Sequence, residues 1–257
     1  MTTSKQAIAL YTLIRHEMMR MFRIASQVFL PPVITTALYF LIFGYLIGQR
    51  IGLVHGVSYA EFIAPGLIMM SVINNAYSNV STSLFSMRFQ KSIEEILVSP
   101  ISNGLLLLGF ITGGIIRGLS VALLVWFVSC WFVHLPVYHF GLTLLTLLLV
   151  SSLFSLAGFT NALVARSFDD VMLIPTFILA PLTYLGGVFY STTMLSPFWQ
   201  TVSHFNPILY MVNALRYAMI GQENVDIWLA MSIISGLVIA LALLNLFLLK
   251  RGQGLRD

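Results

Sequence analysis

Residues 191–225 read STTMLSPFWQTVSHFNPILYMVNALRYAMIGQENV, and whether this stretch crosses a membrane decides how everything around it is threaded. It is apolar enough to suggest a span, yet Pro197, His204, Asn206 and Pro207 interrupt it. At about 1.5 Å per residue, the piece from Pro207 to Ile220 reaches only ~21 Å as a helix, short of the ~30 Å of a hydrocarbon core. Counting it as a span would also send Lys250, Arg251 and Arg256 to the side opposite most other basic residues. A re-entrant hairpin of two short helices over residues 190–222, dipping into the outer leaflet, is expected instead. Irregular backbone at that depth is tolerated where protein or a water-filled cavity covers it.

Working outward, the chain of 257 residues is 58% hydrophobic and only 9% charged, against about 25% charged in soluble domains. Uncharged runs cover 24–49, 62–87, 96–116, 118–165, 171–215 and 227–249. Crossing a bilayer takes about 20 helical residues, so each run is long enough. The two longest are broken by HLPVYHFG at 134–141 and YSTTMLSP at 190–197. The fold class read from this pattern is an all-α membrane protein with six transmembrane helices, near 28–48, 60–84, 104–132, 142–165, 170–189 and 227–249. That threading puts Lys5, Arg15, Arg20, Arg23, Arg88, Lys91, Arg166, Lys250, Arg251 and Arg256 on one side, with only Arg50 and Arg216 opposite. The bias predicts that both termini are cytoplasmic.

The stretch before the first run carries Lys5, Arg15, Glu17, Arg20 and Arg23, and no small-residue cleavage site is evident after it. The first span is therefore expected to remain as an anchor. A net charge of +4 would suggest nucleic acid in a soluble chain; here the basic residues flank apolar runs and act as topology determinants. Cys130 is the single cysteine, which excludes an intrachain disulfide. The five histidines are scattered over different segments, which argues against a metal site.

Within residues 5–23, Ala7, Leu10, Ile14, Met18 and Met21 recur at three- and four-residue intervals while Thr12, His16, Arg20 and Arg23 share another face. This periodicity predicts an N-terminal amphipathic helix lying along the membrane surface, either a passive anchor or a moving element. Ser71, Asn75, Ser78 and Thr82 form a polar stripe on the second span, which serves helix-to-helix bonding or a substrate pathway. Arg117 is the one charge deep within a span. It is a pathway candidate by default, unless its side chain snorkels to the headgroups. Gly109 with Gly113, and Gly114 with Gly118, are spaced for close helix packing. Pro175 and Pro181 are expected to kink the fifth span. In the loop RFQKSIEEILVSPIS at 88–102, Ile93, Ile96 and Leu97 make one apolar patch beside Glu94 and Glu95; such a helix folds back on its own spans or docks on a partner.

Absences narrow the function. No G-x-x-x-x-G-K-[ST] phosphate loop occurs, nor any Gly-Lys pair, so this chain does not hold ATP by that mechanism and any ATPase is a separate chain. Intramembrane hydrolase motifs are also missing. No acid lies in the middle of a predicted span, which leaves a proton relay without a carrier. A secondary transporter working without ATP and a membrane assembly factor remain as alternatives to a transport subunit.

Leu179, Leu182, Leu185, Gly186, Val188, Leu195, Ser196, Pro207, Ile208, Tyr210 and Arg216 carry a resemblance to the ABC type-2 permease family, the membrane subunits of one class of ATP-driven exporters. The rest of the layout is similar: an interfacial helix, six spans, the EEILVSP segment at 94–100 and an outer hairpin before the last span. The resemblance implies a single permease domain over 1–257 in a bacterial inner membrane, paired with a second copy and a soluble ABC ATP-binding subunit. ATP and Mg would be held on that partner and no cofactor on this chain. It further implies that residues 88–99, with Ile93, Glu94, Glu95, Ile96 and Leu97, form a coupling helix, and that Asp169 and Asp170 in ARSFDD make a second contact. The outer hairpin, with Pro207, Tyr210 and Arg216, would act as a gate. Arg216 is placed near the outer surface, within reach of Glu223 or Asp226. The implied substrate is amphipathic or hydrophobic: a lipid, a lipid-linked glycan or a drug.

Overall fold

The computed structural model describes residues 3–94, 101–221 and 226–252. The described chain is helical apart from a two-stranded ribbon, β1 (Leu53–Val54) paired antiparallel with β2 (Val57–Ser58), and short connections. Helix α1 (Thr3–Arg23) leads into α2 (Ala25–Ile51), which is wound as a π-helix over Phe40–Ile47. After the ribbon come α3 (Tyr59–Phe89), α4 (Asn103–Phe132), α5 (Phe140–Val164) and α6 (Phe168–Leu185). Two short helices follow, α7 (Pro197–His204) and α8 (Pro207–Ile220), and then α9 (Ile227–Arg251).

Local chemistry explains the boundaries. Ser58 caps α3 in a reciprocal box with Glu61, and Ser167 does the same for α6 with Asp170, each box satisfying two otherwise orphaned amides. Ser102 and Asp226 cap α4 and α9, while α8 ends at Gly221 in the left-handed region, which glycine adopts without steric cost. Pro175 opens a π-wound segment, Pro175–Leu179. That is where the expected irregularity of the fifth span lies, because a proline removes a ladder donor.

Among the described residues five helices, α2, α4, α5, α6 and α9, are long and apolar enough to cross a membrane. The helix predicted as the second span, α3, is long enough at 31 residues, but its Asn and Ser content keeps it out of that set. It is the centre of the bundle instead, packed against α4, α5 and α8 with most of its apolar residues at or near zero exposure. Two apolar clusters fill the core. The larger joins α3 to α4, α5 and α8; the other sits at the opposite end, around Leu84, Phe85, Phe110, Phe159 and Leu249.

The glycine pairs of α4 serve two different neighbours. A Cβ at Gly113 would lie 2.9 Å from the Cβ of Glu17 on α1, and one at Gly109 would strike Leu13. At Gly118 a Cβ would lie 2.7 Å from Ser151 Oγ on α5, and Gly114 abuts Ser155 there. One pair therefore seats α1 and the other seats α5. The inward face of α1 is centred on Leu13, Glu17 and Met21, not on the full apolar series read from its sequence. Leu10, Ile14 and Met18 are half-buried and Ala7 is exposed, while Ile8, Tyr11, Met19 and Phe22 are turned outward.

Candidate functional site

The polar stripe of α3 lies half-covered along the middle of this central helix. Ser71, Asn75, Ser78 and Thr82 are all half-buried, whereas the residues between them are mostly fully enclosed. Thr82 bonds back to the Ser78 carbonyl at 2.5 Å and the Asn75 amide to the Ser71 carbonyl at 3.0 Å. Asn75 Oδ1 in turn accepts from Arg117 Nε at 3.2 Å and Nη2 at 3.1 Å. Two candidates picked separately on α3 and α4 thus meet, and the guanidinium turns toward the stripe. Ser71 and Asn75 also line a cleft of about 250 Å³ between α3 and α2, with Gln27, Thr35, Tyr39 and Asn74.

On a neighbouring face of the same stretch of α3, at Asn79 and Ser83, lies a cluster that sequence periodicity missed. Glu17 is fully enclosed at 1% exposure. Its Oε1 accepts from Ser83 at 2.5 Å and its Oε2 from Arg20 at 3.0 Å. Arg20 Nη2 also donates to the carbonyl and the Oδ1 of Asn79, at 3.0 and 2.8 Å. Burial alone would push the Glu17 carboxyl up, but His16, the Arg20 charge and the Ser83 hydroxyl outweigh it and hold the carboxyl below its ordinary range. His16 is raised by the Glu17 carboxylate 3.7 Å away. One signal was available: Glu17 is the sole acid in the first 60 residues, and a lone acid on a basic helix needs a reason.

The residues that the resemblance assigns to an outer gate are anchored, and one is not where its neighbours in sequence suggest. Pro207 opens α8, and Tyr210 Oη donates to the His204 carbonyl at 3.0 Å, bracing α8 against α7. Arg216 corrects the expectation of a rim ion pair: it is 1% exposed. It donates to the carbonyls of Phe62 at 3.2 Å and Gly187 at 2.8 Å and to Asn213 Oδ1 at 3.0 Å, with its guanidinium carbon 3.9 Å from the centre of the Phe62 ring. Asp226 is instead spent on the α9 cap, and Glu223 lies outside the described residues.

Residues 8–220 match the family model described as ABC-2 type transporter. The chain is 49% identical over 250 residues to the inner membrane transport permease YadH of Escherichia coli K12, covering 97% of this chain and 98% of that one. It is also 23% identical to Nodulation protein J of Neorhizobium galegae, over 80% of this chain and 79% of the relative. The figure is 25% for Nodulation protein J of Sinorhizobium fredii, over 81% and 80%. The chain belongs to the ABC-2 type transporter family. As an ABC-2 permease it is a multi-pass inner-membrane transport component, and membership implies an ATP-binding partner subunit.

The residues that the resemblance assigns to contact with that partner divide unevenly in this ABC-2 chain. Helix α3 continues to Phe89, so the 88–99 segment does not begin as a separate helix. Ile93 is 3% exposed and belongs to the chain's own core beside Leu106 and Phe85; it is not an outward anchor. Glu94 is exposed, and Glu95, Ile96 and Leu97 lie outside the described residues. Asp169 is exposed, whereas Asp170 accepts from the amides of Arg166 and Ser167 at 2.9 and 3.1 Å in the α6 cap. Arg88, read as a topology determinant, also caps α5, donating to the carbonyls of Ala162, Leu163 and Ala165.

Proposed function

We propose that two copies of this chain form the membrane pathway of an ATP-driven exporter for an amphipathic or hydrophobic substrate: a lipid, a lipid-linked glycan or a drug. Each copy is one permease domain over 1–257 with six spans, α3 completing the set of five apolar helices, and with both termini cytoplasmic. ATP and Mg are held by a separate soluble subunit, which engages the 88–99 segment through Glu94 and the residues after it, and the turn at Asp169. Closure of the ATP-binding pair moves these contacts and shifts the spans between inward- and outward-facing states. The hairpin α7–α8 sits in the outer leaflet as the gate.

The observation that carries this reading is the half-covered stripe Ser71, Asn75, Ser78 and Thr82 with Arg117 beside it. Among the described residues Asn75 alone of the four bonds to another helix, through Arg117, so helix-to-helix bonding leaves Ser71, Ser78 and Thr82 without a role. Facing a second copy across a path for a polar head group supplies one. Reconstitution of the permease with its ATP-binding subunit in proteoliposomes tests it. Substrate movement is expected to stop when the partner's hydrolysis is blocked, and Asn75→Ala to lower transport without loss of assembly. Transport that continues under blocked hydrolysis and follows an ion gradient would replace the exporter with a secondary transporter.

A further inference from the structure

A pocket of about 800 Å³ opens between α1 and the end of α3, apart from the polar stripe. His16, Arg20, Arg23 and Gln90 line it, together with the apolar Leu13 and Met87. We propose that this pocket binds the acidic head group of an anionic amphiphile, with the start of its apolar chain against Leu13 and Met87.

Charge bookkeeping within the pocket favours an anion. Glu17 is the acid in contact, and it is already neutralised by Arg20 and turned toward Ser83. Arg23 then keeps a whole positive charge, with no ion pair among the described residues. Arg20 has donor capacity left over, since its Nε is buried without a hydrogen-bond partner among the described residues. Such a buried donor calls for an acceptor, and a phosphate-type head group offers several oxygens to a guanidinium fork.

Size and polarity favour an amphiphile over a bare ion. The space is several times larger than a phosphate, and the apolar wall has nothing to offer an ion. Met19, which also lines the pocket, is 53% exposed on the outward side of α1, so the apolar side continues to the surface where a chain would leave. The inference deepens the exporter reading and rests on it only for placing this end of the bundle at the cytoplasmic surface.

Binding is measured on the full-length permease alone, without its ATPase, so that failure here is distinct from failure to transport. Fluorescent phosphatidylglycerol is titrated into the detergent-solubilised protein, with the phosphatidylcholine analogue as the neutral arm and inorganic phosphate as the competitor. Phosphatidylglycerol is expected to bind more tightly than phosphatidylcholine, and Arg23→Gln to weaken it about fivefold. Arg15→Gln, an exposed change on the same helix away from the pocket, should stay within about twofold, because only diffuse attraction is lost. Met87→Ser should weaken the lipid without altering phosphate competition. Equal losses from Arg15→Gln and Arg23→Gln would reduce the site to surface attraction. Full displacement by millimolar phosphate would make it a bare-anion site, and equal affinity for both lipids would remove it. All variants are checked for an unchanged elution volume and helical signal.

Discussion

The Ser83 hydroxyl donates at 2.5 Å to the Glu17 carboxylate across 66 positions of sequence, fastening the surface helix α1 to the central helix α3. With Arg20 on its other oxygen, Glu17 acts as a rivet between two elements. Breaking a buried ion pair from one side leaves the other charge uncompensated and costs about 3 to 5 kcal/mol; Arg20 is partly exposed, which places the expected loss at the lower end. Glu17→Ala is therefore expected to detach α1, seen as protease cleavage between α1 and α2 and a lower melting temperature. An unchanged cleavage pattern would show that Leu13 and Met21 hold the helix alone.

That rivet has two pH limits of opposite sign. Glu17 is held below 4.5, so its stabilisation is present above that value and is lost as pH falls through the depressed folded value. His16 is held above 6.5, so its contribution is present below 6.5 and is lost as pH rises through its raised folded value. Docking of α1, followed by hydrogen exchange of residues 8–22, should be firmest between those limits. Glu17→Gln is expected to flatten both flanks, because His16 is raised chiefly by the Glu17 carboxylate. A profile unaffected by Glu17→Gln would assign the pH response elsewhere.

The two glycine pairs of α4 should separate under mutation. Gly113→Leu fills the seat of Glu17 and Gly118→Leu the seat of Ser151. Overpacking of this kind costs about 1 to 3 kcal/mol or more where backbones must part. The first substitution is expected to release α1 while the bundle still elutes as a folded protein. The second, which forces α4 from α5, should reduce the yield of folded protein outright. Both are read by size-exclusion profile and α1 proteolysis.

Arg216 is expected to behave as a structural clasp that holds α8 against α3 and the turn after α6. Its three acceptors lie on α3, on α8 and in the turn after α6, so Arg216→Ala abandons buried carbonyls at about 1 to 3 kcal/mol each. Arg216→Lys keeps the charge yet cannot span three acceptors with a planar fork. Both variants should lower the melting temperature before any transport measurement. An Arg216→Ala protein of full stability with slow transport would return the residue to a purely gating role.

How far the fold was legible follows from which signals are local. Apolar run length located Asn103–Phe132 and Ile227–Arg251 within a residue or two of residues 104–132 and 227–249, and the prolines marked where α6 winds irregularly. Glycine spacing announced close packing but not its partners. The Arg216 and Glu17 environments were hidden because their partners are remote: Phe62 lies 154 positions from Arg216, while Glu223 and Asp226, the misleading neighbours, are close in sequence. Ile93 was misplaced for a related reason. Periodicity shows that an apolar face must be covered and does not say by what.

The junction after α3 gives the sharpest separation between holding the fold and meeting the ATP-binding subunit. Ile93 and Glu94 are adjacent, yet one is enclosed in the core with Leu106 and Phe85 and the other is exposed. Truncating a buried aliphatic residue costs about 2 to 5 kcal/mol, so Ile93→Ala should destabilise the permease itself, with weaker partner association only as a consequence. Glu94→Ala should leave the melting temperature unchanged. Because rim charges govern association rate more than final affinity, it should slow binding of the ATP-binding subunit, and more so at low salt. Reversing Glu94 together with Glu95 should allow assembly but uncouple hydrolysis from export. The measurements are the melting temperature of the isolated permease, partner association by surface capture at two salt concentrations, and ATPase with transport in proteoliposomes. If Glu94→Ala and the double reversal associate, hydrolyse and transport like the parent, the ATP-binding subunit docks elsewhere. The exposed turn at Asp169 then becomes the contact to test.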